Sequence, residues 1–302
     1  MVRMSGKSSL RYKPKFTSST GNSIMQCTVE TILPSQRVID DGDMRLWRAL
    51  PLPARTSLGP FVFIDHYRHR SRRGIGDSPH PHAGIEVISY LLEGGVEHRD
   101  SLGFKDRQEA GDAQWIRAGR GMLHAEQPSG GRHGLQLWTS LPPEQKLAEP
   151  AYASFRAADI PEIAHAGALV RVIAGRVEGV EGPMKTTSPT LFAHVRLGPG
   201  AGITLPVGNV AELGLYVLDG SLDLGAGSQL GPGALAVLAS GEQITLTATK
   251  DQRVDVALLG GAPVQGAVLF GGPFVMDTPE RLAQAKRDFA SGKMGRLDGV
   301  PF

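Results

Sequence analysis

The sequence predicts a mainly β protein of two similar halves, each a sandwich or barrel, with one helix near the C-terminus. Three observations predict it. The 302 residues include 39 glycines and 21 prolines, a turn-rich balance that favours many short strands. Runs of β-branched, aromatic and aliphatic residues recur between Gly, Pro and Asp punctuation. The run pattern that ends near Leu141 starts again at Leu169, after an irregular interval.

The elements follow in order. Residues 1–29 contain no acidic residue but carry Arg3, Lys7, Arg11, Lys13 and Lys15. That composition suits an organellar transit peptide, but Pro14 and the lack of an apolar face favour a disordered extension or an upstream start before Met25. Strands are expected at Val29–Leu33, Met44–Leu50 and Phe61–Asp65. Glu86–Leu92 is a further strand, with Gly94-Gly95 as a hairpin turn into Val96-Glu97-His98. Gln114–Ile116 and Gly134–Leu141 follow, and Pro142-Pro143 ends the last, because proline cannot donate to a ladder. Residues 144–167 read as a linker with short helical turns. The second half offers Leu169–Ile173, Thr190–Leu197, Ala211–Leu218, Ser221–Leu224, Ala234–Ala239, Gln243–Thr249 and Arg253–Leu259. Thr278-Pro279-Glu280 starts a helix with a hydroxyl cap and proline in its first turn; Leu282, Ala285 and Phe289 share one face, and Gly292 closes it.

Composition excludes several classes of function. A net charge of +2, with only short Lys/Arg clusters such as 68–73, gives direct nucleic-acid binding little support. No apolar run approaches the roughly 20 residues of a membrane helix. Cys27 is the single cysteine, so a disulfide framework and a thiolate metal cage are both ruled out, and a reducing, cytoplasmic setting is the simple expectation.

Chemistry concentrates in Gly74–Gly134. Seven of the nine histidines lie between residues 66 and 133. His80-Pro81-His82 and His124-Ala125-Glu126 are pairs at i and i+2, which project from one face of an extended strand. Imidazole and carboxylate are borderline-to-hard donors, so His80, His82, His124 and Glu126 suit one divalent transition metal: Fe(II), Mn, Ni, Cu, Zn or Co. Four protein ligands on a six-coordinate ion leave two positions for substrate and dioxygen or water. Glu86 shares the parity of His80 and His82 and is a fifth candidate. One H-x-H is often coincidence; the matching second pair is what turns the balance toward a metal. His66, His69, His98 and His133 are single and read as surface histidines or as neighbours that support the ligands, not as ligands themselves. Arg117 and Arg120 could polarise an anionic substrate, with a turn-stabilising salt bridge as the default.

At these residues the sequence resembles a cupin. Gly74-x5-His80-x-His82-x3-Glu86-x7-Gly94 follows the first cupin motif, with one extra residue before the last glycine, while Gly111-x5-Arg117-x-Gly119-x4-His124 departs from the second. The departures are similar to those of the pirin family, as are His80–Gly95, Gln114-Trp115, Ala118–Glu126, His133–Trp138 and Gly272–Met276. The resemblance implies a bicupin of two double-stranded β-helix (jelly-roll) barrels facing each other: residues 27–145 the metal-binding cupin, 146–168 a linker, and 169–302 a degenerate cupin with the terminal helix. It implies His80, His82, His124 and Glu126 as ligands, with iron as the usual metal. Glu86 matches the ligand position of ordinary cupins and is placed beside the metal, with a catalytic role as an expectation.

The implied activity is a metal-dependent dioxygenase of the quercetin 2,3-dioxygenase type, opening a flavonol-like aromatic substrate with O2 and releasing carbon monoxide. Glu126 would take the substrate's hydroxyl proton, a role that asks for a raised carboxyl pKa. The alternative is a non-enzymatic, iron- and redox-responsive regulator that binds a transcription factor or metabolic enzyme.

Overall fold

A computed structural model of the chain describes residues 24–70, 75–297, 299 and 300. The separate extension expected over residues 1–26, with its targeting alternative, falls almost wholly outside them. The architecture is mainly β with one α-helix, as the sequence predicts.

Two antiparallel sheets carry it. The first runs, in spatial order, Ala151–Phe155, Ala113–Arg117, Ile85–Asp100, Met122–Ser140, Phe61–His69, Met44–Leu50 and Gln36–Asp40, with His80–His82 and Lys105–Glu109 attached. The second runs Val29–Pro34, Ala234–Leu238, Glu212–Asp219, Val254–Gly261, Thr190–Leu197, Ala168–Ala174 and Glu162–His165. Strand alternation divides their side chains between two cores. Val254, Val256 and Leu258 enter the lumen of the second barrel, whereas Ala257 and Leu259 join a core shared with Ile64, Ile88 and Leu137 of the first. The two barrels therefore face each other across a common apolar layer. Strands buried on both faces carry near-continuous apolar sequence, which is why they are easy to see in the chain.

The structure corrects three expectations. Gly94-Gly95 is no hairpin: Ile85–Asp100 continues as one strand, with register shifts between Leu91 and Glu93 and between Gly94 and Val96. Gly94 has φ +78, and a Cβ there would stand 2.1 Å from the Gly131 carbonyl oxygen, so the glycine serves a bulge instead of a turn. The interval 144–167 is no plain linker, since Ala151–Phe155 extends the first sheet and Glu162–His165 the second. The chain ends are also exchanged relative to domains of 27–145 and 169–302. Val29–Pro34 pairs with Ala234–Leu238 of the second sheet. Conversely, Phe274, Met276 and the helix residue Ala285 pack on Ala83 of the first.

The helix is Pro279–Ala290. Thr278 Oγ1 accepts from the Arg281 amide at 3.2 Å, and Gly292 follows the cap at φ +76. Lys146 pins the neighbouring strand to the first barrel: its buried ammonium donates to Gly84 O, Ser140 Oγ and Val275 O at 2.8, 2.8 and 2.9 Å. No helix among the described residues is long and apolar enough to cross a membrane.

Candidate metal centre

The long strand Met122–Ser140 organises the site. His80–His82 pairs with it so that His80 lies opposite His124 and His82 opposite Met122. On its other edge, His98 lies opposite Glu126 and Asp100 opposite His124. The rings of His80 and His124 come to 4.3 Å between centroids, His82 and His124 to 5.0 Å, and His80 and His82 to 5.2 Å. One ligand atom from each of the three lies within 4.8 Å of the other two.

Hydrogen bonds decide which nitrogens are free. His80 Nδ1 meets the Ser78 carbonyl at 2.9 Å and His82 Nδ1 the Pro273 carbonyl at 3.3 Å. A carbonyl only accepts, so each ring donates through Nδ1, which leaves Nε2 as the lone-pair nitrogen of the neutral ring. His82 Nε2 and both nitrogens of His124 are buried without a hydrogen-bond partner. Burial, with the neighbouring His80, pushes His82 down to about 3, and burial beside His80, His82 and His98 holds His124 well below the usual histidine range. His82 and His124 therefore present neutral imidazole lone pairs that nothing in the described protein satisfies, with the His80 ring beside them. A cation is the partner such a donor set fits.

Glu126 is nearby but engaged elsewhere. It forms a second candidate group with His98 and His124, not with His80 and His82. Its Oε2 accepts from Arg132 Nη1 at 2.7 Å and its Oε1 from Gln114 Nε2. Burial would raise this carboxyl, but the Arg132 charge prevails and holds its pKa below the usual value. The raised pKa expected for a catalytic base is not what this environment produces.

The pirin family profile matches residues 43–139, and that of the pirin C-terminal cupin domain matches residues 192–295. Human pirin is 36% identical over 257 residues, covering 83% of this chain and 88% of that protein. The chain belongs to the pirin family. Among other pirin relatives, a Vibrio cholerae protein provisionally named quercetin 2,3-dioxygenase is 34% identical over 87% of this chain and 96% of its own. Quercetin 2,3-dioxygenase from Acinetobacter baumannii superposes with a TM-score of 0.81 at 29% identity, over 89% of this chain and 99% of that one. These matches carry the pirin fold across both barrels; among the described residues no metal-type group lies in the second. Val170, Val172, Val195, Leu205, Val217 and Leu258 fill that lumen with aliphatic groups.

Several residues do not stand where the sequence suggests. Glu86 is absent from both metal-type groups. Its carboxylate accepts from Thr139 Oγ1 at 2.9 Å, Thr187 N at 3.0 Å and Thr187 Oγ1 at 2.7 Å, which ties the first barrel to a loop of the second half. His66, His69, His98 and His133 are all buried, not superficial. His98 belongs to the site: Asp100 Oδ2 holds its Nε2 at 3.2 Å, it stacks on Tyr152, and its Nδ1 is left unpartnered. A signal for it was present, because His98-x-Asp100 has the same i, i+2 spacing as the other two pairs. Arg132 had none, as its partner is set by the fold. Arg117 and Arg120 are structural, held by Glu149 O at 3.0 Å and the Glu149 carboxylate at 2.7 Å.

Proposed function

We propose that this chain is a metal-dependent dioxygenase of the quercetin 2,3-dioxygenase type, acting on flavonol-like substrates, with Fe(II) as its metal. The observation that carries this reading is the convergence of His80, His82 and His124, the last two buried with ring nitrogens that have no hydrogen-bond partner. Quercetin 2,3-dioxygenase named among relatives and structural neighbours supports the substrate class.

His80, His82 and His124 would hold the metal, which when bound supplies Lewis-acid stabilisation of a substrate enolate oxygen and access to dioxygen. The remaining steps belong to the protein. Ser78 O and Pro273 O fix two of the rings in the tautomer that keeps Nε2 free. Trp138, stacked on Phe63 at 4.0 Å and edge-on to His82 at 5.0 Å, walls the cluster with apolar surface that excludes water. Glu126, held by Arg132 and Gln114 beside His124, orders this side of the cluster.

The test is iron-loaded protein incubated with quercetin in air and under nitrogen. Oxygen-dependent loss of flavonol absorbance with carbon monoxide release is expected. Unchanged flavonol and no carbon monoxide in air would overturn the proposal.

A further inference from the structure

We infer that a cleft at one end of the second barrel is a binding site for a small organic monocarboxylate with an apolar body, such as an arylacetate. The site is separate from the metal centre, and the inference does not rest on the activity proposed for that centre.

The cleft is a cavity of about 520 Å3, within the roughly 300–1,000 Å3 of small-molecule sites. It lies where Thr190–Leu197 begins and where Ala168–Ala174 and Val254–Gly261 end. The corresponding end of the first barrel is filled. Phe61 and Glu86 both pair with Thr139 there, as Thr190 and Glu212 both pair with Gly261 here. The next residues correspond too: Ser140 N donates to Pro60 O at 3.0 Å, and Ala262 N to Pro189 O at 2.9 Å. In the first barrel, Ile85, which precedes Glu86, shares a core with Val275, and Lys146 binds Ser140 Oγ at 2.8 Å. In the second, Ala211 precedes Glu212 and Ala262 follows Gly261, and both line the opening. Two alanines at the positions of an isoleucine and a clamped serine leave this end open.

The lining selects the class of ligand. Met184 and Leu191, both buried, supply apolar surface at depth. Glu181 accepts from Arg176 at 3.1 Å and from Lys185 at 2.5 Å. Among the described residues these three are the only charged side chains that line the cleft, so it carries one net positive charge. One unbalanced cation beside apolar surface suits a single negative charge on an apolar group. All three side chains are at least half exposed, so solvent screens them and the charge selects among ligands more than it tightens binding. Ser188 and Asn209 add side-chain donors for a carboxylate.

One wall is formed in advance. Met184 N donates to Ile173 O at 3.1 Å and Thr186 Oγ1 to Ser188 O at 2.9 Å. Thr187, between two lining residues, donates from N and Oγ1 to Glu86 of the first barrel at 3.0 and 2.7 Å. A wall already held in place costs a ligand little ordering entropy.

Titration calorimetry of the full chain, with and without Co(II) loaded, tests this with phenylacetate and its neutral isostere phenylacetamide as probes. Phenylacetate should bind about fivefold or more tightly than the amide in both states. Ala211→Trp, which fills the cleft, should abolish binding of both probes. Arg176→Gln together with Lys185→Gln, at two exposed positions, should remove the preference for the acid. No phenylacetate binding at millimolar concentration, equal binding of the two probes, or a preference that survives the double variant would overturn the inference. Binding that requires Co(II), or that Ala211→Trp leaves unchanged, would place the ligand elsewhere and overturn it as well. If Ala211→Trp fails to fold, the double variant decides alone.

Discussion

The hydroxyl of Tyr90, on the first barrel, meets Nδ1 of His194, on the second, at 3.0 Å. Arg171 donates to the same hydroxyl at 3.0 Å, so the phenol proton goes to His194, whose Nε2–H is left to donate to Asp255 at 2.9 Å. A reciprocal pair crosses the other way, Tyr216 of the second barrel reaching His66 of the first at 3.3 Å. The apolar layer between the barrels thus contains two directed polar contacts, and an unsatisfied group there would be costly.

Tyr90→Phe should accordingly destabilise the protein by about 1–3 kcal/mol, since it leaves His194 Nδ1 and an Arg171 N–H buried without a partner. Chemical denaturation measures this. Co(II) affinity, read on the same preparation, should not move. A loss under about 0.3 kcal/mol would mean that the pair contributes nothing net.

Glu86→Gln separates a structural carboxylate from a metal ligand. The variant should retain metal affinity within about threefold and lose about 1 kcal/mol of stability, because an amide replaces one acceptor oxygen in the Thr139 and Thr187 bonds with a donor. A tenfold loss of metal, measured by titration calorimetry, would restore Glu86 to the ligand set.

How far the chain could be read in advance follows from these residues. Strands such as Thr190–Leu197 are legible to the residue, because burial on both faces demands nearly unbroken apolar sequence. The H-x-H and H-x-E pairs are legible because strand geometry turns spacing into direction. Gly94 misleads because a bulge and a hairpin turn need the same positive φ. Glu86 misleads because strand parity says which face a side chain takes but not how far along the barrel it lies. Arg132 and Lys146 were invisible, since their partners are created by tertiary packing and have no local signature.

Acid should unfold the metal-free protein through its histidines. Folding lowers His69 to about 4 and His82 to about 3, in both cases chiefly by burial. The unfolded chain therefore binds more protons than the native state below an ordinary histidine pKa of about 6.5. The stability these groups contribute is complete above that value and is lost as pH falls through about 4 and then 3. Denaturation midpoints measured from pH 7 to pH 3.5 should fall steeply in the lower half of the range. A midpoint independent of pH would contradict the burial of these rings as neutral species.

Lys146→Met should cost about 2–5 kcal/mol, since three acceptors lose a buried charged donor together. The variant should also lose metal affinity, because freeing Val275 loosens Pro273, whose carbonyl orients His82. Differential scanning calorimetry and Co(II) titration read the two effects. Lowered stability with unchanged affinity would show that the His82 contact is independent of the clamp.

That carbonyl also bears on the order in which the chain is made. All the candidate ligands lie between residues 80 and 126, yet the group that sets the His82 tautomer is Pro273, and Phe274–Met276 packs beneath the same wall. A nascent chain emerging from the ribosome would expose every metal-binding side chain long before it could assemble the pocket that orients them. Metal capture with native geometry is thereby deferred until nearly the whole polypeptide has been synthesised.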